Sequence, residues 1–129
     1  MRYLGVDYGK KRVGLAMSDE RGDFSYPLEV LENSDNLVKD ILNICKKNNI
    51  EEIVIGESKD FSQKENEIMG DIKIFVTELE RELKLKIHLH PEFLTSLEAE
   101  QLQGKNEMHD ASAAALILKS YLDTIKNNG

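Results

Sequence analysis

Ile53-Val54-Ile55-Gly56 restricts the fold more than any other stretch of this chain. A strand with one wet face alternates apolar and polar residues, whereas a strand covered on both faces reads as an unbroken apolar run. This run follows a helical pattern, so it predicts the central, parallel strand of an α/β sheet with helices on both sides.

The flanking patterns supply the rest of such a sheet. Residues 2–7 and 12–18 are apolar and β-rich around a short Gly-containing turn, which predicts an antiparallel hairpin, and a third strand is expected over Tyr26–Leu31. Leu37, Ile41, Ile44 and Cys45 recur at helical spacing, with Asp35 as the expected N-cap and an end near Asn48. Ile68, Ile72, Phe75, Leu79 and Leu83 mark a second amphipathic helix.

Lys86-Ile87-His88-Leu89-His90 then alternates as an edge strand does, and Pro91 is expected to end it. Thr95-Ser96-Leu97-Glu98 has the form of a capping box, predicting a short helix that closes at Gly104. A last helix carries Met108, Ala111, Ala115, Leu118, Leu122 and Ile125 as one stripe, with Ala113 and Ala114 thin enough for close packing. The expected fold is a mixed five-stranded sheet, three antiparallel strands followed by parallel crossovers, flanked by helices. With no linker, repeat or low-complexity segment, residues 1–129 read as one domain.

Composition narrows the partners. The chain carries 17 basic and 24 acidic residues, a net charge of −7, which excludes broad electrostatic coating of nucleic acid. Any nucleic-acid contact must be local or assisted by cations. The single cysteine, Cys45, has no partner for an intrachain disulfide, so a buried thiol in a reducing cytoplasm is expected. No apolar run approaches the roughly 20 residues of a membrane span, and the N-terminus lacks a signal-peptide layout. A soluble intracellular protein is expected.

Chemistry gathers at one predicted edge. If strands one and four are parallel neighbours, Asp7 at the end of strand one and Glu57 just after strand four emerge together, where open α/β sheets place their ligands. Glu92 follows strand five by two residues, and Asp110 lies near the start of the final helix, so four acids can converge. Hard divalent cations take carboxylate oxygens, and ions held this way activate water and stabilise the leaving oxygen of a phosphodiester. Gly5, Gly14 and Ala16 leave room for a phosphate backbone.

Three segments carry a family resemblance: Gly5-Val6-Asp7-Tyr8-Gly9-Lys10-Lys11-Arg12-Val13-Gly14, Leu94-Thr95-Ser96 with Glu98-Ala99, and Asp110 through Leu118 with Tyr121-Leu122. Together they resemble the YqgF family, which is Holliday-junction-resolvase-like and associated with nucleolytic maturation of pre-16S ribosomal RNA. The resemblance implies a ribonuclease H-like fold and a nuclease dependent on Mg²⁺ or Mn²⁺. Its metal ligands would be Asp7, Glu92 and Asp110. It further implies nucleic-acid partners, with pre-rRNA favoured over branched DNA, and ribosomal precursor particles. Thr95 and Ser96, with Lys10, Lys11 and Arg12, are the candidate substrate-binding residues. Two segments depart from the family pattern: Pro91-Glu92-Phe93 replaces Asp-Glu-Arg, and Gly56-Glu57-Ser58 replaces a Gly-Leu-Pro loop. Glu57 stands where RuvC resolvases look to carry a catalytic glutamate.

Each candidate has a plainer alternative. Asp7 suits a turn, bonding the amides of Gly9 or Lys10. Asp110 and Glu92 suit helix N-termini through the macrodipole, and Glu57 suits a solvated loop. His88 and His90 read as exposed edge residues rather than a zinc pair, because no third ligand has a matching spacing. His109 is either an exposed helix-end residue or a phosphate contact, and Tyr8 either caps the core or stacks on a base. The basic turn is either solvated charge or a phosphate anchor. At the level of function, the alternatives to a nuclease are a catalytically impaired RNA- or ribosome-binding module and, less favoured, a fragment of an actin-like nucleotide-binding fold.

Overall fold

The computed structural model describes residues 1–58, 68–92 and 109–128. Its order is β1 (Tyr3–Tyr8), β2 (Arg12–Ser18), β3 (Ser25–Glu32), α1 (Leu37–Asn48), β4 (Glu52–Ser58), α2 (Ile68–Glu82), β5 (Lys86–Glu92) and α3 (His109–Asn128). The five strands form one sheet in the order β3-β2-β1-β4-β5. β1 pairs antiparallel with β2 and β2 with β3, while β1–β4 and β4–β5 are parallel. This is the mixed sheet expected from the sequence. The short helix expected from Thr95 to Gly104 falls outside the described residues.

Strand parity divides the sheet into two covered faces. Leu4, Val6, Ile53 and Ile55 join α1 and α2 in one core with Leu37, Ile41, Phe75 and Leu79. On the other face Tyr3, Ala16 and Val54 pack against Ala114, Ile117, Leu118 and Leu122 of α3. Ile53, Val54 and Ile55 are fully buried because β4 is covered on both faces, which is why their sequence does not alternate.

The approach of α3 is set by Gly5. A β-carbon there would lie 2.8 Å from Leu118 Cβ and 2.9 Å from the Ala114 carbonyl oxygen, so only glycine lets the helix lie this close. One turn pair along, Tyr121 meets Tyr3 edge-on at 6.0 Å between ring centroids. The helix therefore runs back along β1: as β1 advances from Tyr3 to Gly5, α3 recedes from Tyr121 to Ala114. Its first turn, holding Asp110, comes to the Asp7 end of the sheet.

Two local expectations are corrected. Pro91 does not end β5, which continues through Glu92. β5 is an edge strand, where the missing proline N–H costs no ladder bond to an outer neighbour, and the chain's other proline, Pro27, likewise lies on the opposite edge strand β3. Asp35 is not the cap of α1. Asn36 holds that position without a side-chain capping bond, and the helix ends at Asn49 in the left-handed conformation, φ 55° and ψ 44°.

Candidate active site

Asp7 stands opposite Gly14 in the β1–β2 ladder. On the parallel side, β1 and β4 pair Val6 with Ile55, so the next step of the register brings Gly56 alongside Asp7, and Gly56 pairs in turn with His90. The row across the sheet is therefore Gly14, Asp7, Gly56, His90. Asp7 has the parity of Tyr3 and Gly5, the residues facing α3. Asp7 is half-buried and is flanked on both neighbouring strands by residues without side chains, Gly14 and Gly56.

Glu92 closes β5 two residues beyond His90, at the same parity, and pairs with Ser58. Asp110 lies in the first turn of α3. Both positions belong to the edge that carries Asp7, while their side chains, like that of His109, lie outside the described residues, as do Thr95 and Ser96 entirely. Among the described residues no three His, Cys, Asp or Glu side chains form a metal-holding group.

Glu57 reaches the same edge but not on the same face. It lies within β4 rather than after it, and alternation gives it the parity of Ile53 and Ile55, which face α1 and α2. Its charge is nonetheless felt at His90, where it favours the protonated ring against the stronger opposing effect of burial, which holds His90 below the usual histidine range.

The histidine pair is built into the fold rather than left bare on the edge. His88 stacks on Tyr121 at 5.1 Å, and His90 meets the same ring edge-on at 5.9 Å. His88 Nε2 donates to Glu52 Oε1, since a carboxylate can only accept. His90 Nε2 bonds Ser120 Oγ at 2.9 Å. With both Nε2 atoms engaged, this cluster joins β5 to α3.

Tyr8 has opposite parity to Asp7 and packs its ring on Phe75 at 4.9 Å, as a residue capping the core does. It borders a cleft of about 290 Å³ between α1 and α2. Asp35, Asp71 and Glu78 line that cleft with no basic residue among its walls, so it repels phosphate.

The β1–β2 turn brings Lys10, Lys11 and Arg12, all exposed, beside Asp7. Sequence reasoning passed over the residue that ties this turn down. Asn33, just past β3, donates its side-chain amide to the Gly9 carbonyl at 2.7 Å and its backbone N–H to the Lys11 carbonyl at 2.9 Å. The Asn33-Ser34-Asp35-Asn36 run carried a turn signal but no hint of a partner so distant along the chain.

A three-strand antiparallel meander leading into parallel crossovers, with a helix lying back along the first strand, is the architecture of the ribonuclease H-like nucleases and resolvases. Two solved structures share it: RuvC of Thermus thermophilus bound to a Holliday junction, with a TM-score of 0.65 and 18% identity over 98% of this chain and 96% of that one, and the fowlpox virus resolvase in complex with junction DNA, at 0.60 and 12% over 97% and 99%.

The chain belongs to the RuvX family, described as Holliday junction resolvase, which it matches over residues 1–124. A curated relative from Rickettsia peacockii, named "Putative pre-16S rRNA nuclease", is 31% identical over 96% of this chain and 87% of its own length. Another of that name, from Maridesulfovibrio salexigens, is 32% identical over 95% and 98%. The resemblance read from the three motifs is thus borne out. No helix among the described residues is long and apolar enough to cross a membrane.

Proposed function

We propose that this chain is a divalent-metal-dependent nuclease of the cytoplasm that hydrolyses phosphodiester bonds at the 5′ end of precursor 16S ribosomal RNA, with residues 1–129 as one catalytic domain. The observation that carries this reading is the meeting, at one sheet edge, of the carboxyl ends of β1 and β5 with the first turn of α3, around an aspartate flanked by two glycines. The names of the curated relatives favour the RNA substrate, and precursor ribosomal particles are the corresponding partner.

The donor chemistry fits hard cations, because the acids brought to this edge offer oxygen only. Asp7, Glu92 and Asp110 would hold Mg²⁺ or Mn²⁺, which when bound supplies an activated water and neutralises charge on the leaving oxygen. The chain's own residues do the rest. Lys10, Lys11 and Arg12 hold the backbone by its phosphates, without reading sequence, in a protein too acidic to bind it elsewhere. Thr95 and Ser96 extend that contact. Glu57, at the same edge but of the other parity, acts on the site through its charge.

A second reading, an RNA- or ribosome-binding module that does not cleave, is favoured by the parity of Glu57 and by the uncharged neighbours of Glu92 in Pro91-Glu92-Phe93. Cleavage of a precursor 16S RNA 5′ end and of a four-way DNA junction, in Mg²⁺ or Mn²⁺, separates the two. The nuclease reading expects wild-type cleavage of the RNA that Asp7→Asn abolishes. Equal rates in the two proteins remove Asp7 from the chemistry, and tight RNA binding with no cleavage in either favours the binding module.

A further inference from the structure

The hairpin turn between β1 and β2 is held from outside by a residue of neither strand. β1 and β2 pair as far as Tyr8 and Val13, leaving Gly9 to Arg12 to reverse the chain. Arg12 pairs with Glu32 of β3, and Asn33 follows immediately. Its backbone N–H to the Lys11 carbonyl, at 2.9 Å, carries the β2–β3 ladder one bond into the turn. Its side-chain amide, at 2.7 Å from the Gly9 carbonyl, reaches across to the other limb. One residue therefore grips both limbs of the loop that bears three consecutive cations.

The turn has little slack of its own. A β-carbon at Gly9 would lie 2.5 Å from the Arg12 carbonyl oxygen, so the two limbs already touch through backbone. The loop carries Lys10, Lys11 and Arg12, all exposed, and any backbone freedom left in it would have to be lost when a phosphate binds. Asn33 is half-buried, so its amide bond to Gly9 is sheltered from competing water.

We infer that Asn33 is a positioning residue for substrate: by clamping Gly9 and Lys11 it preorganises the Lys10-Lys11-Arg12 turn as a phosphate grip beside Asp7. This rests on the proposed role of that turn in binding the nucleic-acid backbone. The residue touches no substrate itself. It acts through the turn, so its effect must vanish when the turn's charges are gone.

The test is a four-variant cycle: wild type, Asn33→Ala, Lys10→Ala/Lys11→Ala/Arg12→Ala, and all four changes together. Binding to a fluorescein-labelled RNA stem with a 5′ single-stranded extension is measured by anisotropy in EDTA, across a salt series, alongside thermal melting. Asn33→Ala is expected to weaken binding about five- to tenfold and to flatten the dependence of log K on log salt, because fewer phosphates are held at once. In the triple-alanine background the same change should do nothing further to binding. Asn33→Leu, similar in size and uncharged but without a side-chain donor, should behave as Asn33→Ala does.

A lowered melting temperature with unchanged affinity and salt slope would overturn the inference and leave Asn33 a structural residue. An equal loss in both backgrounds would also overturn it, since Asn33 would then act elsewhere. If the triple-alanine protein binds as wild type does, the phosphate grip itself fails, and the role of Asn33 with it. That outcome is distinct from a working grip indifferent to Asn33.

Discussion

Gly5→Ala is the substitution whose effect follows most directly from the packing of α3. The added methyl would lie 2.8 Å from Leu118 Cβ and 2.9 Å from the Ala114 carbonyl oxygen, both fixed to the helix backbone, so no side-chain rotation relieves it. Moving from 2.8 Å to an ordinary 3.4 Å contact requires α3 to withdraw by about 0.6 Å. Overpacking of this kind costs about 1–3 kcal/mol. At about 3–5 °C per kcal/mol for a domain of this length, the melting temperature should fall by about 3–15 °C. Because the same helix carries Asp110, activity should fall further than the folded fraction does, by about tenfold or more at temperatures where both proteins are folded. Thermal melting by circular dichroism and initial cleavage rates on one substrate measure the two effects. A variant that melts with wild type and cleaves at the wild-type rate would refute the close seating of α3 on β1.

Other expectations follow from local features. Cys45 is 3% exposed and burial pushes its thiol up to about 11, so a disulfide reagent at pH 8 should leave the folded protein unmodified while reacting rapidly in denaturant. His90 is held below the usual histidine range chiefly by burial, so the unfolded chain binds the proton more readily. Its contribution to stability is complete above the unfolded value of about 6.5 and is lost as pH falls below it. Melting temperatures should drop between pH 7.5 and 5.5, and His90→Gln should flatten that drop. Asn49, left-handed at the end of α1, predicts that Asn49→Ala lowers stability by about 1 kcal/mol in urea unfolding, whereas Asn49→Gly does not.

The parts of the fold that the sequence revealed are those governed by local periodicity. Ile53 to Gly56 announced a doubly covered strand because burial on both faces removes alternation, and the stripes of α1 and α2 followed from one-sided packing. What stayed hidden depends on distant partners. Nothing near His88 or His90 shows that Tyr121 and Ser120 will cover them. Pro91 was misjudged because the rule against proline governs interior strands, and edge position is a property of the assembled sheet. Asp7 could be placed at a sheet edge from sequence, with Gly14 on the returning strand, but Gly56 appears as its other neighbour only once register brings β4 alongside. The parity of Glu57 was legible in principle from Ile53 and Ile55, yet it mattered only when β4 proved to extend through Ser58.

If the proposed function holds, the edge bearing Asp7 is a metal centre. A crystal structure soaked in Mn²⁺ and measured by anomalous scattering tests it directly. Manganese is expected beside Asp7, ligated by Glu92 and Asp110, and is expected to be lost in Asp7→Asn. Crystals that take up no manganese at this edge at saturating concentration, or bind it equally well in Asp7→Asn, would contradict it.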